Sequence, residues 1–139
     1  MDPTIDLKEE VFISTEIFRG NTLSILESVV RFFKDIKKLN FHEIGLLLKR
    51  DERNVWTVYS RSKKKMPEFS YSSKIDSSDV IITISVFHDE NFCVLETLSV
   101  FLKDSKLLNY HQIGLLLNRD ERNIWTVYNR AKKKTKNAE

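Results

Sequence analysis

The sequence predicts a mainly α-helical protein of two tandem repeats, each a short β-strand followed by three helices. The two strands are expected to pair about a pseudo-two-fold axis. Three observations carry this. Residues 11–65 align with residues 80–134 at a constant offset of 69 without a gap, and about 30 of the 55 pairs are identical. Within each copy a β-branched run gives way to apolar positions at helical spacing. Each copy also contains paired capping signals that mark where helices start. Identity is dense in the last 27 positions (21 identical) and sparse in the first 28 (9 identical), so the copies are expected to share a ligand-facing surface and to differ in packing.

Residues 1–10, MDPTIDLKEE, are acidic and polar and read as an N-terminal arm, unlike a secretory signal. Residues 11–18 and 80–87, VFISTEIF and VIITISVF, read as strands. A lone strand leaves its backbone groups unsatisfied, so the two are expected to pair, antiparallel. Polar turns follow at 19–22 and 88–91. A long amphipathic helix is expected over 22–39 and 91–108. Leu23, Leu26, Val30 and Phe33 keep helical spacing in the first copy, and Val94, Leu95, Leu98, Phe101 and Leu102 in the second. Residues 66–79, MPEFSYSSKIDSSD, have the composition of a linker, and 135–139 form a tail.

The end of each repeat is its most informative part. Asn40 with Glu43, and Asn109 with Gln112, have capping-box spacing, and Leu39/Ile44 and Leu108/Ile113 have staple spacing. A short helix ending at Leu48 or Leu117 is followed by a break at Lys49-Arg50 or Asn118-Arg119. Asp51 and Asp120 are then placed to cap a second helix. In that helix Ile124, Val127, Tyr128 and Ala131 make one apolar stripe, with Arg122, Thr126 and Asn129 opposite and Arg119, Arg130 and Lys132 flanking. Gly45 and Gly114 sit inside the short helix at a cost of about 1 kcal/mol relative to Ala. Their recurrence suggests that one helix crosses closely over the other. The pair reads as a helix-turn-helix with a basic recognition helix, residues 51–65 and 120–134.

This stretch resembles the helix-turn-helix of sigma-factor region 4 and of LuxR-type regulators. Leu108, Tyr110, Gln112, Ile113, Gly114, Leu117, Asn123, Ile124, Arg130 and Ala131 fall on their shared pattern. The similarity covers about 27 residues per copy and is more specific to the motif than to either family. Two positions depart from it. Lys49 and Asn118 stand where glycine is usual, and Arg50 and Arg119 stand where an apolar residue is usual, so these arginines are expected to face phosphate. Asn tolerates a left-handed backbone more readily than Lys does.

The net charge of +3 is unevenly spread: residues 39–65 and 108–134 each carry +4, leaving −5 for the rest. Basic charge gathered on two recognition helices is the footprint of a phosphate-binding surface. Lys63–Lys65 and Lys132–Lys134 also complement helix C-termini. The function expected is sequence-specific binding of double-stranded DNA, as a transcriptional regulator reading two similar half-sites. The residues expected to touch DNA are Arg50, Arg53, Asn54, Thr57, Ser60, Arg61, Lys63 and Lys64 in the first copy. In the second they are Arg119, Arg122, Asn123, Thr126, Asn129, Arg130, Lys132 and Lys133. The alternatives are a protein-interaction module that binds RNA polymerase or another regulator, and a sequence-neutral architectural DNA-binding protein. Paired strands that read the groove themselves are disfavoured, because the strand residues are mostly apolar.

No phosphate-binding glycine loop, nucleophile elbow or metal-spaced Cys/His set is present, so neither enzyme activity nor a metal or cofactor is expected. His42 and His111 suit a solvated or capping role, and Cys93 a small half-buried or buried hydrophobe. A single cysteine and the absence of an 18-residue apolar run suggest a cytoplasmic protein that does not span a membrane. It is expected as a monomer with an internal pseudo-dimer, or a homodimer of that unit. Trp56 and Trp125 fall beside the apolar stripe and are expected to pack against the long helix or the other repeat. The other reading is contact with a thymine methyl or the sugar-phosphate backbone.

Overall fold

A computed structural model describes residues 11–19, 21–69, 74, 76–89 and 91–138. The expected arm at 1–10 lies outside the described residues, as do parts of the linker. The chain is mainly helical with one small sheet. Its elements in order are β1 (Phe12–Ser14), α1 (Ile25–Arg31), α2 (Phe41–Leu48), α3 (Glu52–Lys65), β2 (Ile81–Thr83), α4 (Val94–Val100), α5 (Tyr110–Leu117) and α6 (Glu121–Ala138). Contacts divide it after His88 into two compact units.

In the first unit β1 and β2 pair antiparallel, with Phe12 opposite Thr83, Ile13 opposite Ile82 and Ser14 opposite Ile81. Thr15 N–H donates to the Val80 carbonyl at 3.0 Å and Ile84 N–H to the Val11 carbonyl at 2.9 Å. At an offset of 69 these two bonds are counterparts, and Ile13 lies opposite its own counterpart. The strands are shorter than expected. After three residues each turns into a single 3-10 turn, Thr15–Phe18 and Ile84–Phe87, which buries Ile17, Phe18, Ile84 and Phe87 under the helices instead of extending the ladder. The strand that opens the second repeat therefore belongs to the first unit.

The long helices also differ from expectation. Ser24 accepts from Glu27 N–H at 3.2 Å and Glu27 accepts from Ser24 N–H at 2.8 Å, so α1 starts after this capping box, at Ile25, three residues later than expected. Cys93 and Glu96 occupy the same places before α4, so Cys93 is an exposed cap residue and not a buried hydrophobe. Both helices finish in a π turn, Phe32–Ile36 and Phe101–Ser105. Leu39 N–H then reaches back to the Phe33 carbonyl at 3.0 Å, and Leu108 N–H to Leu102 at 3.1 Å. That closure puts Lys38 (φ 60°) and Leu107 (φ 59°) in the left-handed region, the usual place of glycine at a helix C-terminus.

The two short helix pairs form as anticipated. Asn40 accepts from Glu43 N–H at 2.8 Å, and Glu43 accepts from Asn40 N–H at 3.0 Å. Asn109 and Gln112 exchange the same bonds at 2.8 and 2.9 Å. Asp51 and Asp120 cap the next helices through Arg53 N–H and Arg122 N–H, each at 2.7 Å. The core of each unit is the apolar inner face of its helices: Val29, Ile44, Leu48, Val55 and Val58 in the first, and Leu98, Leu102, Ile113, Leu117, Ile124 and Val127 in the second.

Candidate nucleic-acid interface

Each α2–α3 and α5–α6 junction is a left-handed turn at Lys49 (φ 53°) or Asn118 (φ 56°). Arg50 N–H and Arg119 N–H return to the carbonyls of Gly45 and Gly114 at 2.9 Å, tying the turn to the helix before it. A Cβ on Gly45 would lie 2.8 Å from the Arg50 carbonyl oxygen, and one on Gly114 2.7 Å from that of Arg119. The next backbone atoms it would meet belong to Glu52 and Glu121, the first residues of α3 and α6. The close backbone contact inferred from the repeated glycine is therefore present, at the turn and the first residue of the next helix.

The same polar pairs hold α3 against α1 and α6 against α4. The fully buried Glu27 carboxylate faces Lys65 Nζ at 3.0 Å and Arg61 Nε at 3.3 Å. Glu96 faces Lys134 Nζ at 2.8 Å and Arg130 Nε at 2.9 Å. Burial alone would push Glu96 upward, but hydrogen bonds from Lys134, the Cys93 amide and Arg130 outweigh it and bring the pKa down to about 2. Glu27 is likewise lowered, its burial outweighed by the Ser24 amide and Lys65. Tyr59 donates to Asp35 and Tyr128 to Asp104, each at 2.8 Å. Burial first and the Asp35 hydrogen bond second push the Tyr59 phenol up to about 12.

One residue has no counterpart. Arg31, where the second repeat has Val100, is fully buried. It pairs with Asp35 at 2.7 Å and donates to the carbonyls of Met66 (2.6 Å), Ser62 (3.3 Å) and Pro67 (3.3 Å). The Ser62 carbonyl also accepts from Met66 N–H at 2.8 Å, and Pro67 has no N–H to continue the ladder, so α3 stops at Lys65 with Arg31 binding the carbonyls there. With neither this arginine nor a proline, α6 continues through Ala138, past its expected end at Lys134.

The expected contact residues fall into two groups. Arg53, Asn54 and Thr57 on α3, and Arg122, Asn123 and Thr126 on α6, are exposed. Arg53, Asn54, Thr57 and Asp51 line an open depression at the start of α3. Among the described residues the side chains of Arg53, Arg122, Lys64 and Lys133 make no ion pair. The second group is engaged within the protein. Arg61 and Arg130 hold the buried glutamates, Lys132 pairs with Asp104, and Lys63 donates to the Pro67 carbonyl at 3.1 Å. Ser60 and Asn129 are half-buried, Asn129 donating to the Trp125 carbonyl at 2.8 Å. Arg50 and Arg119 are also half-buried. Arg119 folds back on the Asn118 carbonyl at 3.1 Å, and the Arg50 Nε is buried without a hydrogen-bond partner.

The tryptophans correct the expectation that they pack inside. Trp56 is 55% exposed and Trp125 53%. The buried side of α3 is Val55, Val58 and Ser62, with Tyr59 only half-buried. That moves the centre of the buried stripe away from Trp56, which at about 100° per residue shares the outward face with Arg53 and Thr57. Leu46 and Leu115, on α2 and α5, are exposed as well. Among the described residues no helix is long and apolar enough to cross a membrane.

In comparisons with known families, curated proteins and solved structures, the chain matches none.

Proposed function

We propose that the chain is a sequence-specific double-stranded DNA-binding protein of the tandem helix-turn-helix kind, acting as a transcriptional regulator. The observation that carries this is the duplicated outward face: Arg53, Asn54 and Thr57 on α3 recur as Arg122, Asn123 and Thr126 on α6, exposed in both. Arg and Asn are the side chains that pair bidentately with guanine and adenine in the major groove. They stand on helices whose crossing is fixed by a glycine contact and whose ends carry lysine. A helix anchored by its buried face and by Glu27 or Glu96 can enter a groove without reorganising.

The two half-sites are then similar, because the outward residues are. A pseudo-two-fold relation of the repeats, which would make the site an inverted repeat, is part of this proposal. Its support is the β1–β2 ladder, whose bonds exchange under the repeat offset. Arg53 and Arg122 are assigned to bases, with Lys64 and Lys133 on phosphate. Arg61 and Arg130 orient the recognition helices through their buried glutamates. A second reading, docking to polymerase or another regulator, is favoured by exposed Leu46, Leu115 and the two tryptophans. A sequence-neutral architectural protein is the third.

Selection of bound sites from a random duplex pool at near-physiological salt separates the three. Two similar half-sites, about ten base pairs apart, are expected. Binding without enrichment that disappears as salt rises indicates DNA coating, and absence of binding at any salt indicates a protein partner. On the selected site Arg122→Ala should cost about 1–3 kcal/mol and relax one base position, whereas Lys133→Ala should weaken all sequences alike.

A further inference from the structure

We infer that Trp56 and Trp125 make the protein read a C5-methyl pyrimidine in each half-site. This rests on the DNA-binding reading above and assigns its sequence preference. A tryptophan normally buries its large apolar surface, yet here one indole in each repeat stays about half exposed, at 55% and 53%. The positions are counterparts, so both repeats present the indole in the same place. Both indoles share an outward face with groups suited to base edges, Arg53 and Thr57 or Arg122 and Thr126. The Thr57 and Thr126 hydroxyls already donate to the Arg53 and Arg122 carbonyls at 3.0 Å, so they offer only acceptor capacity outward. Among the described residues neither indole N–H makes a hydrogen bond within the protein.

The major groove is lined by polar donors and acceptors, with one apolar feature, the methyl on C5 of thymine. An indole directed at that groove beside an arginine can bury the methyl while the arginine takes an adjacent purine. 5-Methylcytosine carries the same methyl at the same place, so the ligand chemistry is the C5-methyl group. Exposed phosphate offers nothing to the flat of an indole. Arg53 or Arg122, exposed one helical turn before each tryptophan, puts a cation beside the indole and favours DNA over an apolar protein groove.

The test uses the full chain and the duplex obtained from site selection. Each thymine is replaced in turn by deoxyuridine, which removes the methyl and leaves the base-pairing edge intact. At one position in each half-site affinity should fall about fourfold, the value of one buried methyl group. Cytosine and 5-methylcytosine, each paired with guanine, are compared at that position. A preference for the methylated base by a similar factor shows that the methyl itself is read. Trp56→Gln should abolish the uracil penalty in one half-site and leave it in the other, and Trp125→Gln should do the converse. Because the uracil experiment needs only the unaltered protein, it stands even if a variant folds poorly. A loss below twofold at every thymine, with specific binding otherwise intact, overturns this inference alone. A uracil penalty that persists in both variants also overturns it. Failure to bind any duplex overturns the DNA reading itself.

Discussion

Replacing Glu96 by glutamine tests the clamp that orients α6. The side chain is fully buried, and its two oxygens receive Cys93 N–H, Lys134 Nζ and Arg130 Nε at 2.8, 2.8 and 2.9 Å. Glutamine keeps the shape and one acceptor but removes the charge, so it imitates the protonated acid. The native state holds this carboxyl near pKa 2 against an ordinary 4.5. At about 1.4 kcal/mol per tenfold change, native preference for the charged form is worth about 3 kcal/mol. The folded pKa is depressed, so this stabilisation is complete above the unfolded value of 4.5 and is lost as pH falls from there toward 2. Urea unfolding of the two proteins at pH 7, 4 and 2.5 reads it directly. Glu27→Gln should produce its own deficit, independent of the first. The deficit of Glu96→Gln should be about 3 kcal/mol at pH 7 and should shrink to about 1 kcal/mol by pH 2.5, still falling there. A deficit that does not change with pH, or one under 1 kcal/mol at pH 7, refutes the reasoning and assigns the site to packing alone.

Four further outcomes are expected. Leu107 is 83% exposed at φ 59°, so Leu107→Gly loses little packing and relieves the Cβ clash of a left-handed residue. It should be more stable than Leu107→Ala by about 0.5–1 kcal/mol in thermal or urea melts. Gly114→Val drives a side chain toward the Arg119 carbonyl and should cost roughly 1–3 kcal/mol, and binding to the selected duplex should fall by more than stability alone explains. Arg31→Met strips three carbonyl contacts from the end of α3 and leaves Asp35 without its ion pair, and should destabilise by about 2–3 kcal/mol. Amide exchange at residues 62–66 should quicken with it. In an ultraviolet pH titration Tyr59 should ionise near pH 12, above the ordinary 10.0, and its contribution to stability should be lost as pH rises between those values.

Local sequence determined more of this protein than its length suggests. The repeat offset was legible, as were the capping boxes at Asn40 and Asn109, the Asp51 and Asp120 caps and the close approach at Gly45 and Gly114, because each of these local features depends on residues within a few positions of one another. The antiparallel pairing of the strands also followed, from the need to satisfy backbone groups. The clamp residues carry a sequence signal too: Glu27/Glu96 and Asp35/Asp104 are among the few identities in the divergent half of the repeat. Their pairing with Arg61, Lys65, Arg130, Lys134, Tyr59 and Tyr128 joins residues 24 to 38 positions apart.

Tertiary structure alone decided the rest. Lys38, Lys49 and Leu107 have no left-handed preference, yet each adopts that backbone because the packed helices on either side fix where the chain must turn. The strands stop after three residues because burying Ile17, Phe18, Ile84 and Phe87 is worth more than lengthening a two-stranded ladder. α3 ends at the expected Lys65, before Pro67 and with Arg31 on the carbonyls there, whereas α6, with neither a proline nor an arginine at Val100, runs past its expected end to Ala138. Tyr128 has the spacing of the apolar stripe, but its hydroxyl, like that of its counterpart Tyr59, reaches an aspartate at the edge, Asp104 or Asp35. The stripe shifts, and both tryptophans face outward. Sequence periodicity places a residue on a helix to within a face, whereas its burial depends on what the neighbouring helix presents to that face.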